Sequence, residues 1–117
     1  MKTITQYEQI FKALSDKSRL RILKMLQTKS LCVCEITEIL KLAASTASKH
    51  LSILRNAGLI TDEKDKKWIN YRINPKPKSN IVSNALLFIL LQLEDDEIIK
   101  NDKKLINIID REVLCRK

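Results

Sequence analysis

Apolar residues recur every three or four positions from Tyr7 to Leu54, and past Gly58 that rhythm stops. A chain with this pattern folds as a stack of short helices followed by something extended. Tyr7, Ile10, Phe11 and Leu14 predict a first amphipathic helix over roughly 4–14. Asp16 is placed to cap a second helix that carries Leu20, Leu23 and Leu26 on one face. Val33, Ile36, Ile39 and Leu40 mark a short third helix, KLAA at 41–44 is a brief break, and a fourth helix runs to Ala57. Gly58, the only glycine, sits where a left-handed residue would end that helix.

Beyond it, LITDEK and KWINYRI are β-like runs that meet near Asp65 and Lys66, predicting a hairpin over about 59–73. NPKPKSN, with both prolines, is a break. Residues 79–93 are apolar almost all round, and a helix of that kind must be covered on every side. So small a domain can hardly cover it alone, and a second copy of the chain is the simplest partner. EDDE then separates it from a last stretch with Ile98, Leu105, Ile109 and Val113 at helical spacing. The expected architecture is one domain over 1–117, mainly α with a small β-hairpin. Within it, 33–57 form a helix-turn-helix, 59–73 a wing, and 79–114 C-terminal helices for dimerisation.

Charge divides the chain. Residues 1–78 hold 16 Lys and Arg against 7 Asp and Glu, whereas residues 79–117 hold 6 against 7. All of the formal excess of +8 therefore belongs to the first two-thirds, as expected where one part binds a polyanion and the other has a different job. No signal-peptide pattern opens the chain, and its longest apolar run, ALLFILL, is far too short to span a bilayer. With three cysteines, an odd number, these features predict a cytoplasmic protein with reduced thiols and no membrane contact.

The fourth helix carries the strongest functional signal. Ala47, Leu51 and Leu54 form its core stripe, and Ser45, Ser48, Lys49 and Ser52 the opposite one. Small hydroxyls and a lysine permit close approach to phosphates and base edges, and no acid stands between Glu38 and Asp62. A merely solvated face would carry Glu and Lys instead. With Thr46 and His50, these residues are the expected contacts to double-stranded operator DNA. Lys64, Lys66 and Lys67 at the hairpin tip are suited to gripping the backbone beside the groove, although lysine is also common in ordinary turns. Trp68 and Tyr71 are expected to pack the hairpin onto the core.

FKALSDKSRLRILKML, LCVCEITEILKLAASTASKHLSILRNAGLI and KKWINYRI together resemble the ArsR/SmtB family of metal- and metalloid-responsive repressors, over roughly residues 8–73. The resemblance implies a homodimeric winged-helix repressor, joined through its first and last helices, whose hold on DNA weakens when ligand binds. The chain departs from the family pattern at Ala43 and Ala44, where a serine cap and a glutamine are usual, and at the wing tip, where Lys66 replaces a common glycine.

LCVCEIT resembles the family's arsenite-binding sequence, in which a third cysteine follows three residues after the second; here that place is Thr37. Trivalent arsenic and antimony favour three thiolates. Cys115 is the only other thiol in the chain, and it is expected to complete the set with Cys32 and Cys34, from the same or the partner subunit. As(III) or Sb(III) is thus the expected inducer, with no organic cofactor. On an intact helix, residues two apart point about 200° from one another, so ligation by both thiols requires 32–34 to be non-helical or to unwind. Cadmium, lead or copper(I) on thiolates, and thiol oxidation or persulfidation, remain alternative inputs. The C-terminal zinc site of some relatives is not expected, since residues 95–117 contain no histidine. An oxidoreductase is disfavoured: the chain has no Gly-rich cofactor loop, no Cys-x-x-Cys and no base near the thiols.

Overall fold

The computed structural model describes residues 3–114. Four helices open the chain: α1 (Thr3–Leu14), α2 (Lys17–Thr28), α3 (Val33–Leu40) and α4 (Ala44–Asn56), with a two-residue strand, β1 (Leu31–Cys32), between α2 and α3. The hairpin β2 (Ile60–Asp65) and β3 (Trp68–Ile73) follows, then α5 (Asn80–Leu90), α6 (Glu97–Ile108) and α7 (Arg111–Leu114). Strand order is β1-β3-β2, all antiparallel, with Cys32 opposite Asn70 and Asp62 opposite Tyr71.

Local chemistry sets the boundaries. The Asp16 carboxylate accepts the Arg19 N–H at 3.1 Å and caps α2. Gly58 has φ +83°, the left-handed conformation needed to leave α4, and a Cβ there would meet Val82 at 3.4 Å. Lys41, at φ 58°, likewise ends α3 in the left-handed region. The start of α4 is less well served: Ala43 is its cap residue and offers no side-chain hydrogen bond.

Ile22, Leu23, Leu31, Ile36, Leu51, Leu54, Leu59, Ile60 and Ile106 form the fully enclosed centre of the core. Each such side chain contributes on the order of 1.5–3 kcal/mol by leaving water, so α4 is anchored by Leu51 and Leu54 while its other face is released to solvent. Two charged side chains tie α2 to the C-terminal part. Arg21 donates twice to the buried Asp102 of α6, at 2.8 and 2.9 Å. The buried Lys24 donates to the Leu90 carbonyl at 2.8 Å and to Glu94 at 2.6 Å.

Three expectations need correction. The strand β1 is absent from the sequence reading, because two residues carry no periodicity of their own; it exists because β3 offers it a partner edge. The final stretch is two helices, not one: Ile109 is extended at ψ 149°, and the inward face of α6 is Ile99, Asp102 and Ile106, leaving Ile98 and Val113 exposed. The stripe on α1 also divides. Ile10 and Ala13 turn inward, while Tyr7 and Phe11 remain exposed and stack with ring centres 6.3 Å apart. A similar division runs along α5, where Val82, Leu86 and Ile89 are buried and Leu87 and Phe88 are exposed, with Leu91 just beyond.

Candidate nucleic-acid interface and cysteine cleft

The face of α4 opposite its core stripe is open. Ser45, Thr46, Ser48, Lys49 and Ser52 are all exposed, while Ala47, Leu51 and Leu54 are buried beneath them. Neighbouring elements hold this helix in place at its end and its middle. Arg55 donates to Asp62 of β2 at 2.9 Å, joining the helix end to the wing. Gln9 of α1 donates to the Asn56 carbonyl at 3.1 Å. In the middle, the Arg19 guanidinium lies 3.1 Å from His50 Nδ1, and it also donates to the carbonyls of Ala13 and Lys12. His50 is only 16% exposed and Asp16 lies 3.8 Å from the same nitrogen, so this histidine braces the helix from the side.

The wing projects Lys64, Lys66 and Lys67, all exposed, around a turn in which Lys66 adopts φ 58°. A lysine there occupies a conformation that suits glycine. Tyr71 packs against the core, and burial together with the nearby Asp62 carboxylate raises its phenol above the usual range of 10. Trp68 instead meets two cations: the Lys67 ammonium is 4.8 Å and the Arg111 guanidinium 4.4 Å from its ring centre.

The two cysteines occupy different kinds of backbone. Cys32 is extended, the last residue of β1 and the cap of α3, and is buried; Cys34 lies in the first turn of α3 and is half-buried. The Glu35 carboxylate accepts the Cys32 N–H at 2.9 Å, and the two residues form a capping box in which a weakly accepting sulfur replaces the usual hydroxyl. Thr37, at the place of the family's third cysteine, donates its hydroxyl to the Cys34 carbonyl at 2.9 Å.

Cys32 and Cys34 nevertheless line one cleft of about 450 Å³, together with Val33, Ser48, Lys67, Trp68, Ile69 and Tyr71. Of the residues singled out in the sequence, the fold thus brings Cys32, Cys34, Ser48 and Lys67 around one space, and leaves Ser45, Thr46, Lys49, Ser52, Lys64 and Lys66 outside it on the outward surface. Cys115 lies outside the described residues. Among those described, no three His, Cys, Asp or Glu side chains gather as a metal site.

Sequence reasoning missed Arg19, Trp68 as a cleft wall, and Arg111. Arg111 hydrogen-bonds Asn70 and lies 3.6 Å from Asp65 and 4.0 Å from Glu35, so that α7, packed on α3, also touches the wing. Only the solitary tryptophan was a usable signal.

An exposed helix face free of acids, braced by its neighbours and flanked by a hairpin with lysines at its tip, is the layout of a winged helix-turn-helix. Residues 16–62 match the model of the bacterial regulatory protein family arsR. The arsenical resistance operon repressor of Bacillus subtilis (strain 168) is 40% identical over 84 residues, covering 71% of this chain and 80% of that protein. The chain belongs to the ArsR family of DNA-binding transcriptional repressors. A cadmium resistance transcriptional regulatory protein, a CadC homolog from Staphylococcus aureus, is 35% identical over 79 residues, 67% of this chain and 65% of that one. A homodimeric winged helix-turn-helix DNA-binding domain from Mycobacterium bovis matches with a TM-score of 0.64 at 23% identity, over 80% of this chain and 83% of that one, a likeness of fold. No helix among the described residues is long and apolar enough to cross a membrane.

Proposed function

We propose that this chain is a homodimeric repressor that leaves its operator when As(III) or Sb(III) is captured by Cys32, Cys34 and a third thiolate from Cys115. The observation that carries the reading is the shared cleft: it is lined by Cys32 and Cys34 together with Ser48 of α4 and Lys67, Trp68, Ile69 and Tyr71 of the wing. A soft ion held there would sit in a space bounded by both elements proposed to face DNA. The donor set fits the ion in kind, since thiolates suit soft trivalent centres, and it needs a third donor. Cys115 follows directly on α7, whose Arg111 reaches the rim of that cleft at Trp68.

The local backbone supplies the coupling. Cys32 is already extended at the cap of α3, so an ion shared with Cys34 would compete for the Cys32 sulfur at that cap and pull on the first turn of α3 through Cys34. α3 packs directly against α4, so a shift at the start of α3 is passed to that helix. Ser45, Thr46, Ser48, Lys49 and Ser52 would meet the groove and Lys64, Lys66 and Lys67 the backbone, while His50 would serve DNA binding indirectly, by holding α4 through Arg19. Dimerisation would use the exposed apolar residues of α1 and α5, Phe11, Leu87 and Phe88 among them.

The test is arsenite-driven release of operator DNA, followed by fluorescence anisotropy. The intact protein should let go, Cys32→Ser and Cys34→Ser should hold on, and Cys115→Ser should need far more arsenite. Release by the double variant Cys32→Ser/Cys34→Ser at wild-type concentrations would refute the proposal.

A further inference from the structure

The exposed stripe of α4 does not stop at Ser52. Four residues further along a helix lies the same face, and Asn56, the exposed last residue of α4, holds that position. Recognition helices present their N-terminal residues to the bases. The last turn of α4, about 17 Å from Ser45, is then left beside the sugar-phosphate edge of the groove. Asn56 lines a cleft of about 430 Å³ between α1, the end of α4 and the segment that leads into α5. Lys76 and Lys78 both line it, beside Gln6 and Gln9, and no acidic residue does.

The two lysines are exposed, and none of the ion pairs among the described residues involves either of them. No Asp or Glu stands between Asp65 and Glu94, so nothing nearby in the sequence offsets their charge. The backbone that carries them is fixed. Pro75 and Pro77 lock φ on either side of Lys76. The Asn74 side chain accepts the Lys76 N–H at 3.0 Å and donates to the Gly58 carbonyl at 2.8 Å, tying the segment to the turn after α4. At the other end, the Ser79 hydroxyl accepts the Ile81 N–H at 3.1 Å and caps α5. Cations carried on so fixed a backbone lose less freedom when they meet an anion.

The polyanion that this family of regulators meets is duplex DNA. We infer that Lys76 and Lys78 form a DNA contact additional to α4 and the wing tip, gripping backbone phosphates at the groove edge beside the end of α4. Contacts of this kind carry no sequence information; they set register and add affinity. The inference rests on the reading of α4 as the groove-facing helix and is independent of what the cysteines capture.

Fluorescence anisotropy of the full chain across a salt series tests this, with operator DNA and a duplex of unrelated sequence as the two probes. Lys76→Ala/Lys78→Ala should lower the slope of log affinity against log salt by about 2 for each protomer bound, and weaken both duplexes alike, by about tenfold or more at low salt. Lys76→Arg/Lys78→Arg should keep the wild-type slope, since the charge is retained. Lys100→Ala/Lys104→Ala removes the same charge from the exposed surface of α6 and should leave the slope close to that of the wild type, separating a local contact from the general field of the protein. Circular dichroism of each variant verifies folding. An unchanged slope in Lys76→Ala/Lys78→Ala, or one lowered no more than by the change on α6, would overturn the inference while leaving the contacts of α4 standing. Binding of pyrophosphate at these lysines without that loss of slope would assign the cleft to a free phosphate compound and overturn it too. A wild-type chain that engages neither duplex would overturn the reading of α4 and the inference with it.

Discussion

The Arg111 guanidinium lies 4.4 Å from the centre of the Trp68 ring, joining the last described helix to the wing at the rim of the cysteine cleft. The same side chain hydrogen-bonds Asn70 on the wing and approaches the buried Glu35 at the start of α3. Arg111→Ala should therefore loosen the wing without disturbing the exposed face of α4. We expect a stability loss of about 2–4 kcal/mol in urea unfolding, the sum of a cation–π contact and a charge-assisted hydrogen bond. Amide exchange should quicken at 68–73; unchanged exchange there would mean that the wing does not depend on α7.

Ala43 caps α4 without a side-chain acceptor, although its backbone, at φ −65° and ψ 150°, is already in the conformation of a capping residue. Ala43→Ser should raise stability by about 1 kcal/mol, read as a higher urea midpoint at unchanged slope. A neutral or negative effect would show that the first turn of α4 finds its partners elsewhere.

Lys66 combines a left-handed backbone with a charge at the wing tip. Lys66→Gly should stabilise the fold by about 1 kcal/mol by relieving that conformation. The same change should weaken operator binding and lower the slope of log affinity against log salt by about 1, because one phosphate fewer is neutralised. Affinity and stability thus move in opposite directions, and a common direction would remove Lys66 from the residues that grip the DNA backbone.

Glu94 is held below its ordinary range of 4.5, first by its hydrogen bond from Lys24 and then by that from Lys103. A carboxylate depressed in the folded state contributes stability above its unfolded pKa and loses it as pH falls through the folded value. The wild type should thus exceed Glu94→Gln in stability at pH 6, and the gap should close progressively below about pH 4.5. Urea unfolding across that range measures it; a gap that persists in acid would assign the link to something other than the charge on Glu94.

The legible parts of the fold were those with a long period. The stripe Ala47, Leu51, Leu54 placed α4 with its buried and exposed faces correctly, and Gly58 marked its end with φ +83°. Short or compensated features were hidden. β1 is two residues long and needs β3 to exist, so nothing local announces it. The inward position of Asp102 on α6 breaks the apolar pattern, and only its partner Arg21, 81 residues away, explains why a carboxylate can be buried there. Phe11 and Phe88 matched helical spacing yet are exposed, because spacing marks a face without saying whether the chain itself or a second copy covers it. At the site, the cysteine pair was plain from residues 32–34, but the cleft joining it to Ser48 and Trp68 is a product of tertiary packing.

The central claim is that capture of a soft ligand by Cys32 and Cys34 and engagement of DNA by α4 and the wing oppose one another through the cleft they share. Binding linkage makes that claim measurable from both ends. Operator affinity should be determined with and without saturating arsenite, and arsenite affinity with and without saturating operator. The expected result is that each ligand weakens the other by the same factor, about tenfold or more. Arsenite binding with equal affinity to the free and the DNA-bound protein would contradict it.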